Sequence, residues 1–140
     1  MINLLIEAIS NKILSLFENV VIYTDKVPQN FITPSFYIKC INHSDNILLF
    51  DNRRKSTTFD IVYFPTENSL TAQEEINNVL AILAENLHFI NTGNQVIKAY
   101  DVESNRDEEL HYIVTYKFIA LKDNENVNME VLNERTGVNG

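Results

Sequence analysis

The sequence predicts an α+β domain in which two main helices pack against a mostly antiparallel or mixed sheet. Three observations predict it. An apolar stripe at helical spacing opens the chain, and a second one occupies its middle. Between and after them fall runs of aromatic and β-branched residues with strand character. The order is therefore helix, strands, helix, strands, without an internal repeat. The 140 residues suit one domain with a real core.

The elements follow in order. Ile2, Leu5, Ile6, Ile9, Ile13, Leu16 and Phe17 recur at three- and four-residue steps, one face of a helix. This opening segment has no basic start, and Glu7, Asn11 and Lys12 interrupt it. It reads as an amphipathic helix rather than a signal peptide. Val20 to Tyr23 is a short strand, and Pro28 and Pro34 mark a loop. Ser35 to Ile41, Ile47 to Asp51 and Thr57 to Phe64 read as strands, the last two joined by a turn over Asn52 to Ser56. Thr71 and Glu74 stand at capping-box spacing before a stripe of Ile76, Val79, Leu80, Leu83 and Leu87. Asn91 to Asn94 is a turn, and Gln95 to Val102 is a strand. Leu110 to Leu121, apolar at both parities, reads as a central strand covered on both faces. The domain is expected to span residues 1–122. Residues 123–140 read as a polar tail or arm, with Met129, Val131 and Leu132 as an apolar island whose plain reading is an extra strand or no element at all and whose functional reading is an arm that docks on a neighbouring molecule.

Composition narrows the function. The net charge is −8, against the basic face of a nucleic-acid binder. No apolar run approaches the ~20 residues that span a bilayer. One cysteine, Cys40, excludes an internal disulfide and fits assembly in a reducing cytoplasm.

The search for chemistry finds little. Cys40 and His43 have the spacing of two zinc ligands, but no second pair accompanies them. Cys40 is in phase with Phe36 and Ile38, the place of a packed thiol. A nucleophilic Cys40 assisted by His88 or His111 is the enzyme alternative, without a signature to support it. Gly93, Gly137 and Gly140 do not form a phosphate loop between strand and helix. The acidic pairs Glu74–Glu75 and Glu108–Glu109 read as solvated charge. Neither a catalytic residue, a cofactor site nor a metal site is assigned.

Two charged hairpin tips remain. One is basic, with Arg53, Arg54 and Lys55; the other is acidic, with Asp107, Glu108 and Glu109. Each alone is a solvated turn. Together they suit a head-to-tail interface, which closes into a ring when its rotation permits. The basic tip has a second use, gripping an acidic surface of another component. A monomeric module that accepts a peptide strand at its sheet edge is the remaining alternative.

The phrases "NLLIEAISNKI", "PSFYIKCI", "FDIVYFP" and "HYIVTYKFIAL", with the second helix between them, resemble the tail terminator and tail-completion proteins of phages and phage-derived particles of Gram-positive bacteria. The resemblance covers most of residues 1–122. It implies an α+β fold and a structural role in the virion, assembled in the host cytoplasm. It also implies a homo-oligomeric ring, usually a hexamer, capping the head-proximal end of the tail tube and stopping its polymerisation. The partners implied are the tube protein, the neck or connector, and the sheath if the tail contracts. DNA passes through the lumen of an infectious particle without sequence-specific binding. A head–tail joining protein is the neighbouring alternative. No functional residue carries over individually.

Overall fold

Residues 1–120 are described by a computed structural model. The opening stripe forms α1, Ile2–Leu16, and the central stripe forms α2, Ala72–Asn86. The strands are β1 (Val21–Tyr23), β2 (Ser35–Ile47), β3 (Arg53–Phe64), β4 (Phe89–Asn91), β5 (Val96–Arg106) and β6 (Leu110–Ala120). They form one mixed sheet in the order β1-β2-β3-β6-β5-β4. Only the β1–β2 pair among these is parallel.

The core lies on one side of this sheet. Leu5, Ile9 and Ile13 of α1 and Ile76, Val79 and Leu83 of α2 meet Phe36, Ile38, Phe59, Ile61, Tyr112, Val114 and Tyr116. Residues of β3 and β6 on that face are registered as Phe59↔Val114 and Ile61↔Tyr112. Leu80 and Cys40 pack at the margin, so the thiol is half-buried.

Four expectations change. β6 is interior, as expected, but its burial alternates, because helices cover one face only. On the other face Ile113 and Thr115 are half-buried, and Lys117 and Ile119 are exposed. β4 lies where a connection was expected, held by pairs such as Ile90↔Ile97. Its three residues are too few to show a period. Thr71 is the N-cap of α2, but its side chain caps nothing; the Thr71 N–H donates to Ser69 Oγ. Finally, the segment Ile47 to Asp51 is not a strand: β2 runs unbroken through Ile47.

The one-sided core sets a stability test. Ile9 is fully buried, whereas Leu14 on the outer side of α1 is exposed. Ile9→Ala is expected to cost about 2–5 kcal/mol, and Leu14→Ala within about 0.5 kcal/mol, in urea unfolding. Equal losses would contradict this packing.

Candidate functional site

The β2–β3 ribbon forms one end of the sheet. Every residue from Ile41 to Ile47 is exposed. The connection spans residues 48–52, with a tight turn at its centre. Phe50 and Asp51 both have positive φ, 61° and 63°, and the Asn52 N–H donates to Leu49 O at 3.3 Å. This is the pattern of a type I′ hairpin turn, whose central positions favour Asn and Gly. A bulky residue there costs on the order of 1–2 kcal/mol. The strained residue is also the tip: Phe50 is 88% exposed, Leu49 80% and Ile47 69%.

The basic residues therefore do not lie on the turn. Arg53, Arg54 and Lys55 are the first rungs of β3, opposite Ala120, Ile119 and Phe118. The turn sits four residues earlier than expected, because Leu48, Leu49 and Phe50 continue an apolar run that reads as strand. Alternation splits the three charges. Arg54 projects on the helix-free face, Arg53 and Lys55 on the other. Arg53 is paired with Asp45 at 3.0 Å, a surface contact worth about 0–1 kcal/mol. Lys55 lines a shallow hollow with Met1, Ile2 and His43.

Asp107, Glu108 and Glu109 form the β5–β6 tip at the opposite end, as expected. Ten rungs of the β3–β6 ladder separate the two charged groups, roughly 33 Å. The structure does not bring them together within one molecule. The acidic tip is tied down. Gln73 Nε2 donates to Asp107 O at 3.0 Å, and the Glu109 N–H donates to Asp107 Oδ1 at 3.3 Å. His111 lies between two carboxylates, with Nε2 3.4 Å from Glu109 Oε2 and Nδ1 3.0 Å from Asp60 Oδ2. Arg106 reaches Asn77 on α2.

Glu75 corrects the reading of solvated acid pairs. Its Oε2 accepts from the Tyr63 hydroxyl, from the Thr66 N–H at 2.8 Å and from Thr66 Oγ1 at 3.2 Å. It pins the end of β3 to the first turn of α2. Burial raises the Tyr63 phenol pKa, and the hydrogen bond and charge of Glu75 raise it further. Burial also raises Tyr112 and Tyr116; the Tyr116 hydroxyl donates to Leu87 O at 2.7 Å.

Cys40 Sγ lies 3.5 Å from Asn42 O, while His43 meets Thr57 Oγ1, His88 stands edge-on to Phe89 and His111 bridges its carboxylates. Among the described residues no three His, Cys, Asp or Glu side chains are grouped to hold a metal ion. No helix among them is long and apolar enough to cross a membrane. The surfaces left are the strained apolar tip with its basic flank, the acidic tip and the lateral edges. Reasoning from sequence missed Leu49, Phe50 and Glu75; Asp51–Asn52 was the one turn signal for the true tip. Met129, Val131 and Leu132 lie outside the described residues.

A family model described as phage tail terminator protein matches residues 5–128 of the chain. A comparison with curated proteins finds no match.

The tyrosines set a pH dependence. Their folded pKa values stand above the ordinary 10.0, so the fold favours the neutral phenol. That stability is fully present below pH 10 and is lost as pH rises above it. The thermal midpoint should respond to no phenol ionisation between pH 7 and 9 and then fall above 10. Tyr63→Phe should make the alkaline fall shallower; an unchanged slope would contradict the assignment.

Proposed function

The chain belongs to the phage tail terminator family, and we propose that it forms a homo-oligomeric ring that caps the head-proximal end of the tail tube. The family is one of structural tail proteins and virion components. In the proposed role the ring stops tube polymerisation and presents its other surface to the neck or connector. It acts without catalysis or cofactor, through contact alone. Its partners are further copies of itself, the tube protein, the neck protein and, in a contractile tail, the sheath.

The observation that supports this reading is the chemical difference between the two ends of the sheet. One end offers Leu49 and Phe50 beside Arg53 and Arg54; the other offers Asp107, Glu108 and Glu109. A cap between two unlike neighbours needs two unlike faces. The strained turn adds weight, since strain at a bulky exposed residue points to selection for contact rather than stability. We assign Phe50 and Leu49, with Arg53 and Lys55 around them, to an axial contact with tube or neck. Asp107, Glu108 and Glu109 face the component on the opposite side. Apolar contact supplies most of the affinity, and the charges set orientation.

Deleting the gene from the encoding genome and imaging particles by negative-stain electron microscopy tests the role. Overlong or ragged tubes without heads are expected. Tails of uniform normal length that fail to join heads would move the protein to the neck, and complete particles would remove it from the structural set. The tip has its own test. Phe50→Asn suits the positive φ and should leave stability equal or raise it by up to about 1 kcal/mol. It should weaken capping of purified tubes about 10-fold or more, as loss of an apolar anchor does. Capping at wild-type strength would detach the tip from the contact.

A further inference from the structure

We propose that neighbouring copies join edge to edge, the open stretch of β2 in one copy pairing antiparallel with the open stretch of β5 in the next. The inference rests on the ring reading above and names the surfaces that build the ring.

Both edges of the sheet are left largely unpaired among the described residues. β1 covers only Ser35–Tyr37 of β2. β4 covers only Val96–Lys98 of β5, with one more bond from the Ala99 N–H to His88 O. The strands continue past these covers, with Asn42–Ile47 and Asp101–Arg106 exposed at every position. Each stretch starts at an irregularity, between Cys40 and Asn42 in β2 and between Ala99 and Asp101 in β5. Each is six residues of regular strand still bonded to an inner neighbour, with its outer N–H and C=O groups available. Neither carries the proline that blunts an edge, and large apolar side chains flank them: Ile41 and Ile47 on β2, Tyr100 and Val102 on β5.

The occupant is a second copy of this chain, for two reasons. The first is direction and stagger. β2 and β5 run antiparallel to each other across the sheet, so a neighbour in the same orientation presents β5 correctly to β2. Through the registers, Asn42–Ile47 lies level with Thr115–Ala120 of β6, and Asp101–Arg106 level with Thr115–Leu110. Pairing the stretches with like faces aligned therefore shifts copies by four residues, roughly 13 Å along the strands. Spread over four strand steps of ~4.8 Å, that shift tilts the strands about 35°, within the range of sheets that close on themselves. The second reason is charge. On the helix-free face Arg54 sits one strand in from the β2 edge, beside Asn46, while Asp101 and Glu103 lie on the β5 edge, opposite Thr115 and Ile113. Antiparallel pairing of the two stretches brings Arg54 to the acidic pair across the seam. The two edges differ, so the contact is head-to-tail, the kind that makes rings.

The test uses the full chain with purified tail tubes. Hydrogen exchange should show both stretches fast in the free protein and slowed together in the tube-bound ring. Slow exchange of both already in the free monomer would mean that the chain's own residues 121–140 cover the edges, and would overturn the proposal. So would slowing caused by a tube or neck peptide without ring formation. Arg54→Glu alone, and Asp101→Lys with Glu103→Lys, should each reduce ring assembly about 10-fold or more, counted as capped tubes by electron microscopy. All three changes in one chain should restore it. Circular dichroism checks that these exposed substitutions leave the fold intact. A wild-type chain that forms no ring overturns this proposal and the ring reading together. A wild-type ring indifferent to the swaps, or a triple variant without recovery, overturns the edge contact alone.

Discussion

The rest of the structure depends on a mismatch of length between helix and strand. Each helix has 15 residues, about 22 Å at the helical rise. The inner strand β3 has 12 residues, about 40 Å at the strand rise. Two such helices on one face cannot cover such a sheet from end to end. The strands outrun their cover, β2 and β3 at one end and β5 at the other, and burial stops there on both faces. The exposed apolar tip follows from this constraint, and the edges lie open beside it because β1 and β4 are only three residues each. The alternation of β6 has a separate cause, since both helices lie on one face and none reaches the other.

The two ends meet the constraint differently. At the acidic end, hydrogen bonds hold the strand ends to the helix. Glu75 gathers Tyr63 and Thr66, Gln73 holds Asp107, and Arg106 holds Asn77. The other end projects without a helix behind it. It closes through a tight turn that holds two non-glycine residues at positive φ. A fixed end and a projecting end suit a part that is seated on one component and reaches for another. The projecting end would meet its partner with little reordering, because the turn geometry is set in the free chain.

Much of this fold was legible in the sequence, and the failures have particular causes. The stripes of α1 and α2 mark buried faces that the structure confirms at Leu5, Ile9, Ile13, Ile76, Val79 and Leu83. The short β1 and the strand cores at Phe36–Ile38 and Phe59–Tyr63 also stood out. The β2–β3 turn did not, because its centre is Phe50-Asp51 where a hairpin normally shows Asn or Gly. Exposed apolar residues at a turn look like strand to any reading based on hydrophobic pattern. The capping box failed for a related reason: Ser69 bonds the Thr71 N–H, and Glu75 rather than Glu74 does the tying. β6 misled because Ile113 and Ile119 sit on the face without helices, where apolarity was taken for burial. The charged candidates fared unevenly. Asp107–Glu109 stand on a tip as expected; Arg53–Lys55 belong to a strand, and their alternating faces give them separate neighbours.

The placement of charge also selects among ways of assembling. The chain is acidic overall, with a net charge of −8, so unguided copies repel one another. Asp101 and Glu103 lie on the β5 edge and Asp107, Glu108 and Glu109 at its end, while Arg53, Arg54 and Lys55 form the first rungs of β3, one strand in from the β2 edge. A two-fold contact between sheet edges sets each edge against its own copy, and for β5 this brings Asp101 and Glu103 of two copies together. A head-to-tail contact sets unlike patches together along the seam. Like-charge juxtaposition costs more than a rim ion pair returns, so the distribution acts mainly by disfavouring the symmetric dimer. In the ring proposed above, each open edge joins the unlike edge of the next copy. Assembly by that route adds one copy at a time in a single direction and ends when the last edge meets the first.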